Sequence, residues 1–397
     1  MKKKNLRVII IGGDHHNTLA MVRCFGKKKI DLKILVHTTK TKMKDIHLSS
    51  CRYVKNQIEL IPEFPESMID ALNRNIIPGE KQVVFPCSDF SEYVLDSYAT
   101  ELENNYIIPG FQNHPGKVAY MMDKMHQKLF ADEYNIPMAK TWSLSKCDNS
   151  FLIPADMTYP CILKPEISAN GSKSDIKICN SELELTESLK ILCVKGYETI
   201  LVQQFLRKLY EVCAFGAMFN IKPYFSGGIT KKLNEYPPQG GGSLTFAKFI
   251  NDSKIEIAVD NVRNILFKIG YRGMYDIEFL ICEDEIYLNE INFRHSGNGY
   301  ALINNGIFSP YFYYLSVTGQ ELPYNNKFNM EKESYHMDEL LELQLLKSGS
   351  IGLIDFIEDV FKAKAYAKFD LYDLKGSFAY YLWIFKYMKN KLLRRND

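Results

Sequence analysis

Glu290, Asn292 and Arg294 recur at every second residue in Tyr287-Leu288-Asn289-Glu290-Ile291-Asn292-Phe293-Arg294. Upstream, Asp276 and Glu278 do the same in Tyr275-Asp276-Ile277-Glu278-Phe279-Leu280. A period of two puts such residues on one face of a β-strand. The acidic link Cys282-Glu283-Asp284-Glu285 reads as the turn of a hairpin joining them. If the polar faces coincide, carboxylates, an amide oxygen and a guanidinium meet on one side. A plainly solvated strand face is the competing reading. Against it, Asp, Asn and Glu are depleted in strands, and stacked acids repel unless a cation or proton lies between them. Hard oxygen donors on a rigid strand pair suit Mg²⁺, which usually shares its shell with substrate phosphates. Arg294 would then face those phosphates or a product phosphate.

Cations elsewhere in the chain fit the same chemistry. Lys164 ends the apolar run Pro160-Cys161-Ile162-Leu163-Lys164-Pro165. A lysine on such a strand either snorkels to water or pairs with an anion. Behind it lies Ser168-Ala169-Asn170-Gly171-Ser172-Lys173-Ser174. Such a loop offers N–H and hydroxyl groups to phosphate oxygens, or is an ordinary turn. The stretch 199–206, ending Gln203-Gln204-Phe205-Leu206, reads as a strand running into a bend. Backbone groups exposed there would suit an adenine ring. Glu211, at the start of a strand over 212–219, would accept from both ribose hydroxyls, or is a solvent-facing strand end.

The elements that must hold these groups follow from periodicity. Arg7 to Gly13 is a buried-type strand, 18–25 an amphipathic helix and 32–36 a second strand. That is the strand–helix–strand unit of a parallel sheet. No GxGxxG motif is present and His37, not an acid, follows the second strand, which argues against a nicotinamide or flavin cofactor. The loop Asp14-His15-His16-Asn17 lies at a carboxyl strand end, where open α/β sheets bind ligands. Ser88-Asp89, after a strand at 83–85, occupies the equivalent position. A ligand role for Asp14, Asn17, Ser88 and Asp89 is thus open, while His15 and His16 taken singly read as polar loop residues. Helices are expected at 92–103, 117–134, 181–195, 255–269 and 307–318. A strand at 224–230 should end just before Lys231-Lys232, and the glycine-rich stretch 236–243 reads as a loop near a site.

A chain of 397 residues can hold two or three domains. With 49 Lys and Arg against 47 Asp and Glu, charge gives no nucleic-acid or membrane bias. Nine scattered cysteines without a CxxC pair read as thiols of a reducing compartment. No run is apolar enough to span a bilayer, so the expected location is the cytoplasm. From about 331 the character changes, and 378–395 is aromatic and then basic. That stretch could lie on the inner face of an anionic membrane, or pack on the protein body or a second subunit, as in a homodimer.

The ordered set Lys124, Lys164 before a Gly/Ser loop, Gln203-Gln204, Glu211, then Glu278, Glu290, Asn292 and Arg294 resembles the ATP-grasp superfamily of carboxylate–amine ligases. The twelve-residue step from Glu278 to Glu290 and the Glu-x-Asn-x-Arg run carry most of the likeness, which covers about 1–320. The resemblance implies an α/β and α+β fold in four parts: a Rossmann-like pre-ATP-grasp domain (1–115), an ATP-grasp phosphate-loop lobe (116–200), a metal-hairpin lobe (201–325) and a helical C-terminal extension (326–397). It implies ATP with two Mg²⁺ ions, Mn²⁺ being an alternative. Lys124, Lys164, Ser168, Gly171 and Ser172 would hold phosphates. Gln203, Gln204, Phe205 and Leu206 would surround adenine, and Glu211 would hold the ribose. Glu278, Glu290 and Asn292 would ligate metal, with Arg294, Lys164 and Lys231 catalytic. Asp14, Asn17, Ser88 and Asp89 would face the carboxylate substrate or the acceptor. The nearest look is D-aspartate-ligase-like: a carboxylate is activated as an acyl phosphate and joined to an amine, as in modifying a cell-wall or capsule precursor. The alternatives are a phosphotransferase or thioester-forming ligase on the same fold, and a non-catalytic nucleotide-binding scaffold held at a membrane or partner by its tail.

Overall fold

The computed structural model describes residues 5–148, 150–165, 176–237, 242–323 and 326–382. The chain forms two compact units. One comprises Met1–Val118, Cys213–Asp276 and Asn292–Asp397, the other Ala119–Val212 and Ile277–Ile291. The strands Tyr210–Met218, Tyr271–Ile281 and Ile286–Asn292 each run from one unit into the other.

In the first unit β1 (Val8–Gly12), β2 (Leu32–His37), β3 (Ile58–Ile61), β4 (Gln82–Pro86) and β5 (Tyr106–Ile107) form a parallel sheet of order β3-β2-β1-β4-β5. β1 is apolar throughout because both of its faces are covered. Val8 and Ile10 share a core with Leu19, Val22 and Phe25 of helix His16–Lys27. Ile9 and Ile11 face Met68 and Leu72 of helix Pro65–Arg74, and Val94 of helix Asp89–Ser97. At the end of β1 only glycine fits: a Cβ on Gly12 would stand 2.4 Å from Thr18 Oγ1 and 2.7 Å from Cys87 Cβ. The ends of β1 and β4, with the loops that follow them, therefore close tightly.

The unit continues with antiparallel strands Phe225–Tyr236, Ser243–Phe249 and Tyr335–Met337, and with Ala363–Tyr366 parallel to the last. The strand expected to stop at Thr230 runs on to Tyr236, so Lys231 lies inside it, opposite Lys248. The helix expected over 92–103 is two pieces, Asp89–Ser97 and Ala99–Leu102. Helix Ser309–Val317 is preceded by a short one, Gly299–Asn304, which the sequence reading missed. The C-terminal extension contains helices Glu339–Ser348 and Leu353–Lys362 and a helical segment over 374–382. Buried ion pairs tie it to the first helix. Arg23 bonds Asp373 at 2.9 Å and Lys27 bonds Asp370 at 2.7 Å.

The second unit is built on an antiparallel sheet of order Lys177–Cys179, Cys161–Pro165, Thr199–Gln204, Thr141–Cys147, Ser150–Phe151. Helix Glu182–Val194 covers it through Leu185, Leu189 and Leu192. The single helix expected over 117–134 is broken: Lys117–Met121 ends, and Lys124–Glu133 starts afresh. Asp123 makes the break. Its Oδ1 accepts from Met125 N at 2.7 Å and His126 N at 3.3 Å, an N-cap that mid-helix backbone could not supply. Among the described residues no helix is long and apolar enough to cross a membrane.

Candidate functional site

In the second unit Lys164 points from its strand to Gln203, donating to Oε1 at 2.8 Å. Gln203 is oriented in turn by Thr141, whose Oγ1 accepts from its Nε2 at 3.0 Å. Antiparallel register explains the meeting: Leu201 pairs with Lys164 and Gln203 with Thr141. Burial pushes the Lys164 ammonium down to about 8, and the like charge of Lys124 adds to the shift, while Glu290 and Glu278 oppose it. Two lysines and two carboxylates, drawn from a helix start, a strand and a hairpin, thus act on one another. Lys124 Nζ stands 4.0 Å from Glu290 Oε1, and Glu278 accepts from Asn289 Nδ2 at 3.3 Å.

The carboxylate strand Ile286–Asn292 lies at the sheet edge. Gln127 closes that edge. Its amide receives Ile291 N–H at 2.8 Å and donates to Ile291 C=O at 2.9 Å, as a neighbouring strand would. Leu288 N–H is taken by Pro137 C=O at 2.7 Å. Gln127 sits one turn beyond Lys124, so one helix both presents that lysine and clamps the strand carrying Glu290 and Asn292. Sequence reasoning missed Gln127. The available signal was a lone amide among Phe130 and Ala131 on the buried helix face.

The remaining nucleotide-type residues are placed as follows. Gln204 ends its strand exposed, and Phe205 and Leu206 follow half-buried outside regular structure. Glu211 is buried and paired with Lys208. Ser168, Gly171 and Ser172 lie outside the described residues, as does most of the glycine-rich stretch after Pro237.

In the first unit, Arg294 lies two residues past the end of the strand at Asn292. Its guanidinium forks onto Asp89, with Nη2 3.4 Å from Asp89 Oδ2 and 3.5 Å from Asn292 Oδ1. Ser88, the N-cap of helix Asp89–Ser97, bonds His37 at 2.8 Å. His15 belongs to the same group. Burial, then the charges of His37 and Arg294, hold its imidazole down at about 4, hence neutral at pH 7. Asn17 faces Gly297, and His295 is buried against Gly299, where a Cβ would meet its ring at 2.1 Å. Three residues from the two β-end loops and from the 294–299 segment thus converge: His15, Asp89 and Arg294.

Asp14 does something else. Burial would raise its carboxyl, but hydrogen bonds from His47 and Lys40 outweigh burial and hold it far below the usual range. It accepts from His47 N, Leu48 N and Lys40 Nζ within 3.1 Å, so it braces the 40–48 segment. Lys231 is half-buried inside its strand.

Chemically, the Lys124–Lys164–Glu278–Glu290 group fits a metal-bound polyphosphate. Two close ammonium groups, one already depressed, gain from an anion, and the carboxylates are oxygen donors of the type Mg²⁺ prefers. No family model matches the chain. It is 26% identical over 214 residues to the D-alanine–D-alanine ligase of Campylobacter lari, covering 47% of this chain and 60% of that protein. It is 24% identical over 177 residues to the carbamoyl phosphate synthase large chain of Helicobacter pylori, covering 44% of this chain and 16% of that one. The chain therefore spans less than two thirds of the length of either relative. The crystal structure of N5-carboxyaminoimidazole synthetase from Staphylococcus aureus complexed with ADP superposes with a TM-score of 0.63 at 20% identity, over 88% of this chain and 87% of that one. The chain thus has the fold of that synthetase, and its parallel sheet, lysine-bearing antiparallel sheet and acidic hairpin, seen together with these likenesses, support the ATP-grasp superfamily.

Proposed function

We propose that the chain is an ATP-dependent carboxylate–amine ligase. The observation that carries this reading is the desolvated Lys164, held beside Lys124, Glu278 and Glu290. A carboxylate oxygen attacks the γ-phosphorus of ATP, the bond to the bridging oxygen breaks, and ADP leaves an acyl phosphate. An amine then attacks the acyl carbon, phosphate departs, and the amine proton is lost to solvent or base. Lys124 and Lys164 hold the phosphates and offset charge where it grows. Glu278, Glu290 and Asn292 hold Mg²⁺, which supplies Lewis-acid neutralisation of the phosphate oxygens. Gln203 positions Lys164, while Gln204 to Leu206 border the base and Glu211 the ribose. Arg294 serves the transferred phosphoryl or the acyl group, and Lys231 supports it. Asn17, Ser88 and Asp89 contact the carboxylate substrate or the acceptor, with Asp14 bracing their loop.

The likeness to D-alanine–D-alanine ligase supports an amino-acid substrate and a precursor of a cell-wall or capsule polymer. Residues 116–200 and 201–325 are the two ATP-grasp lobes in this reading, and the cytoplasm supplies ATP. Hydroxylamine trapping in a screen of carboxylic acids with Mg²⁺-ATP tests the reaction class. A hydroxamate formed together with ADP supports acyl phosphate chemistry. ADP release with no hydroxamate for any acid points to a phosphotransferase instead.

A further inference from the structure

Strand Lys177–Cys179 is the edge of the second unit's sheet and runs antiparallel to Cys161–Pro165. The register places Cys179 directly opposite Cys161. Opposed residues of an antiparallel ladder have Cα atoms about 4.5 or 5.5 Å apart, according to the ladder position. A disulfide spans about 4.4–6.8 Å between Cα atoms, so either position accepts one without backbone movement. The side chains agree with the backbone. Both thiols are buried in one core with Leu163, Leu185 and Leu189, and they hydrogen-bond each other. Cys179 Sγ also lies 3.7 Å from Ser188 Oγ.

Burial holds both groups as thiols. It pushes Cys161 up to about 11, and the neighbouring Cys179 adds to that shift. It raises Cys179 as well, with Glu184 adding to the shift and Ser188 and Lys177 opposing it. Neither sulfur is a standing nucleophile at pH 7, so the pair reacts when the strand opens. The edge strand is three residues long, with Lys177 and Ile178 exposed, and opens more readily than the strands behind it. We propose that Cys161 and Cys179 are a reversible oxidation site, joined as a disulfide by a peroxide. One thiolate attacks a peroxide oxygen and the O–O bond breaks. A sulfenic acid forms, and the departing hydroxide takes up the thiol's proton as water. The second sulfur then attacks the sulfenic sulfur, the S–O bond breaks and a second water leaves. In all, two thiols lose two electrons and two protons, and one hydrogen peroxide becomes two waters. The bridge closes a ring of 19 residues and ties the edge strand to the strand that presents Lys164. The proposal stands independently of the ligase reading.

The test is oxidation of the full chain with hydrogen peroxide, followed by alkylation of free thiols, proteolysis and mass spectrometry without reduction. The expected product is a pair of peptides joined through Cys161 and Cys179, which dithiothreitol separates. Cys161→Ala and Cys179→Ala should each abolish it. Cys147→Ser, which removes an exposed thiol, should leave it in place. Oxidised wild type should melt about 5 °C or more above the reduced protein, because the ring restricts the unfolded chain, and neither alanine variant should show the rise. Oxygen added at Cys161 or Cys179 without the joined peptides overturns the proposal. So does a bridge from either residue to another cysteine, or retention of both free thiols under peroxide that oxidises Cys147.

Discussion

Lys164 is a cation kept in surroundings that disfavour its charge. Its folded pKa is about 8 against an ordinary 10.5. The shift is downward, so the free protein holds the ammonium below about pH 7 and loses it as pH rises through 8. Because the unfolded chain keeps the proton up to about 10.5, this group weakens the fold at neutral pH and adds stability as pH climbs from 8 to 10.5. A polyphosphate favours the ammonium, so nucleotide binding restores the proton. ATP affinity should therefore fall about tenfold between pH 7 and pH 9 in equilibrium titrations. Lys164→Met should bind weakly with a flat profile. A wild-type profile equally flat would remove Lys164 from phosphate contact. Glu290→Gln is expected to abolish ADP formation, by about a thousandfold or more, while the melting temperature stays near wild type. Near-normal turnover in that variant would refute the metal assignment.

Elements set the precision of these side chains, and Gln127 shows how. Replacing it with Leu removes both amide contacts to Ile291 and leaves a buried N–H and C=O unpaired, at a cost of about 1–3 kcal/mol each. Gln127→Leu should therefore lower stability in urea titrations and raise the KM for ATP through looser placement of Glu290. Unchanged values for both would show that the strand holds its own edge. Much of the element pattern was legible in sequence. The strand Val8–Gly12 announced itself by an unbroken apolar run, and the hairpin by two-residue alternation of acids. What stayed hidden was long-range. The break at Asp123 depends on a cap that competes with helix periodicity. The pairing of Arg294 with Asp89, 205 residues away in sequence, leaves no local trace. Strand Ile58–Ile61 is too short, and carries too little pattern, to separate from a loop.

At the scale of the whole molecule the C-terminal extension is structural as well as peripheral. Arg23 and Asp373 are 4% and 0% exposed, and the carboxylate also accepts Arg52 N–H at 2.8 Å. Asp373→Ala leaves that guanidinium buried without its counter-charge, at a cost of about 3–5 kcal/mol. Denaturant titration should register the loss, and a change below about 1 kcal/mol would mean water reaches Arg23. Removing residues after 382, by contrast, should leave the fold intact, because the inward contacts of Asp373, Ser377 and Tyr381 are retained.

The same ion pair bears on which parts of the chain can fold alone. The residue that neutralises Arg23 is 350 positions away in sequence. A domain built from the segment around Arg23 alone therefore holds a buried guanidinium without its counter-charge. A fragment ending at Val118 should give a poorly dispersed NMR spectrum even though its parallel sheet is fully encoded. A sharp, dispersed spectrum from that fragment would show that the parallel sheet folds without Asp373.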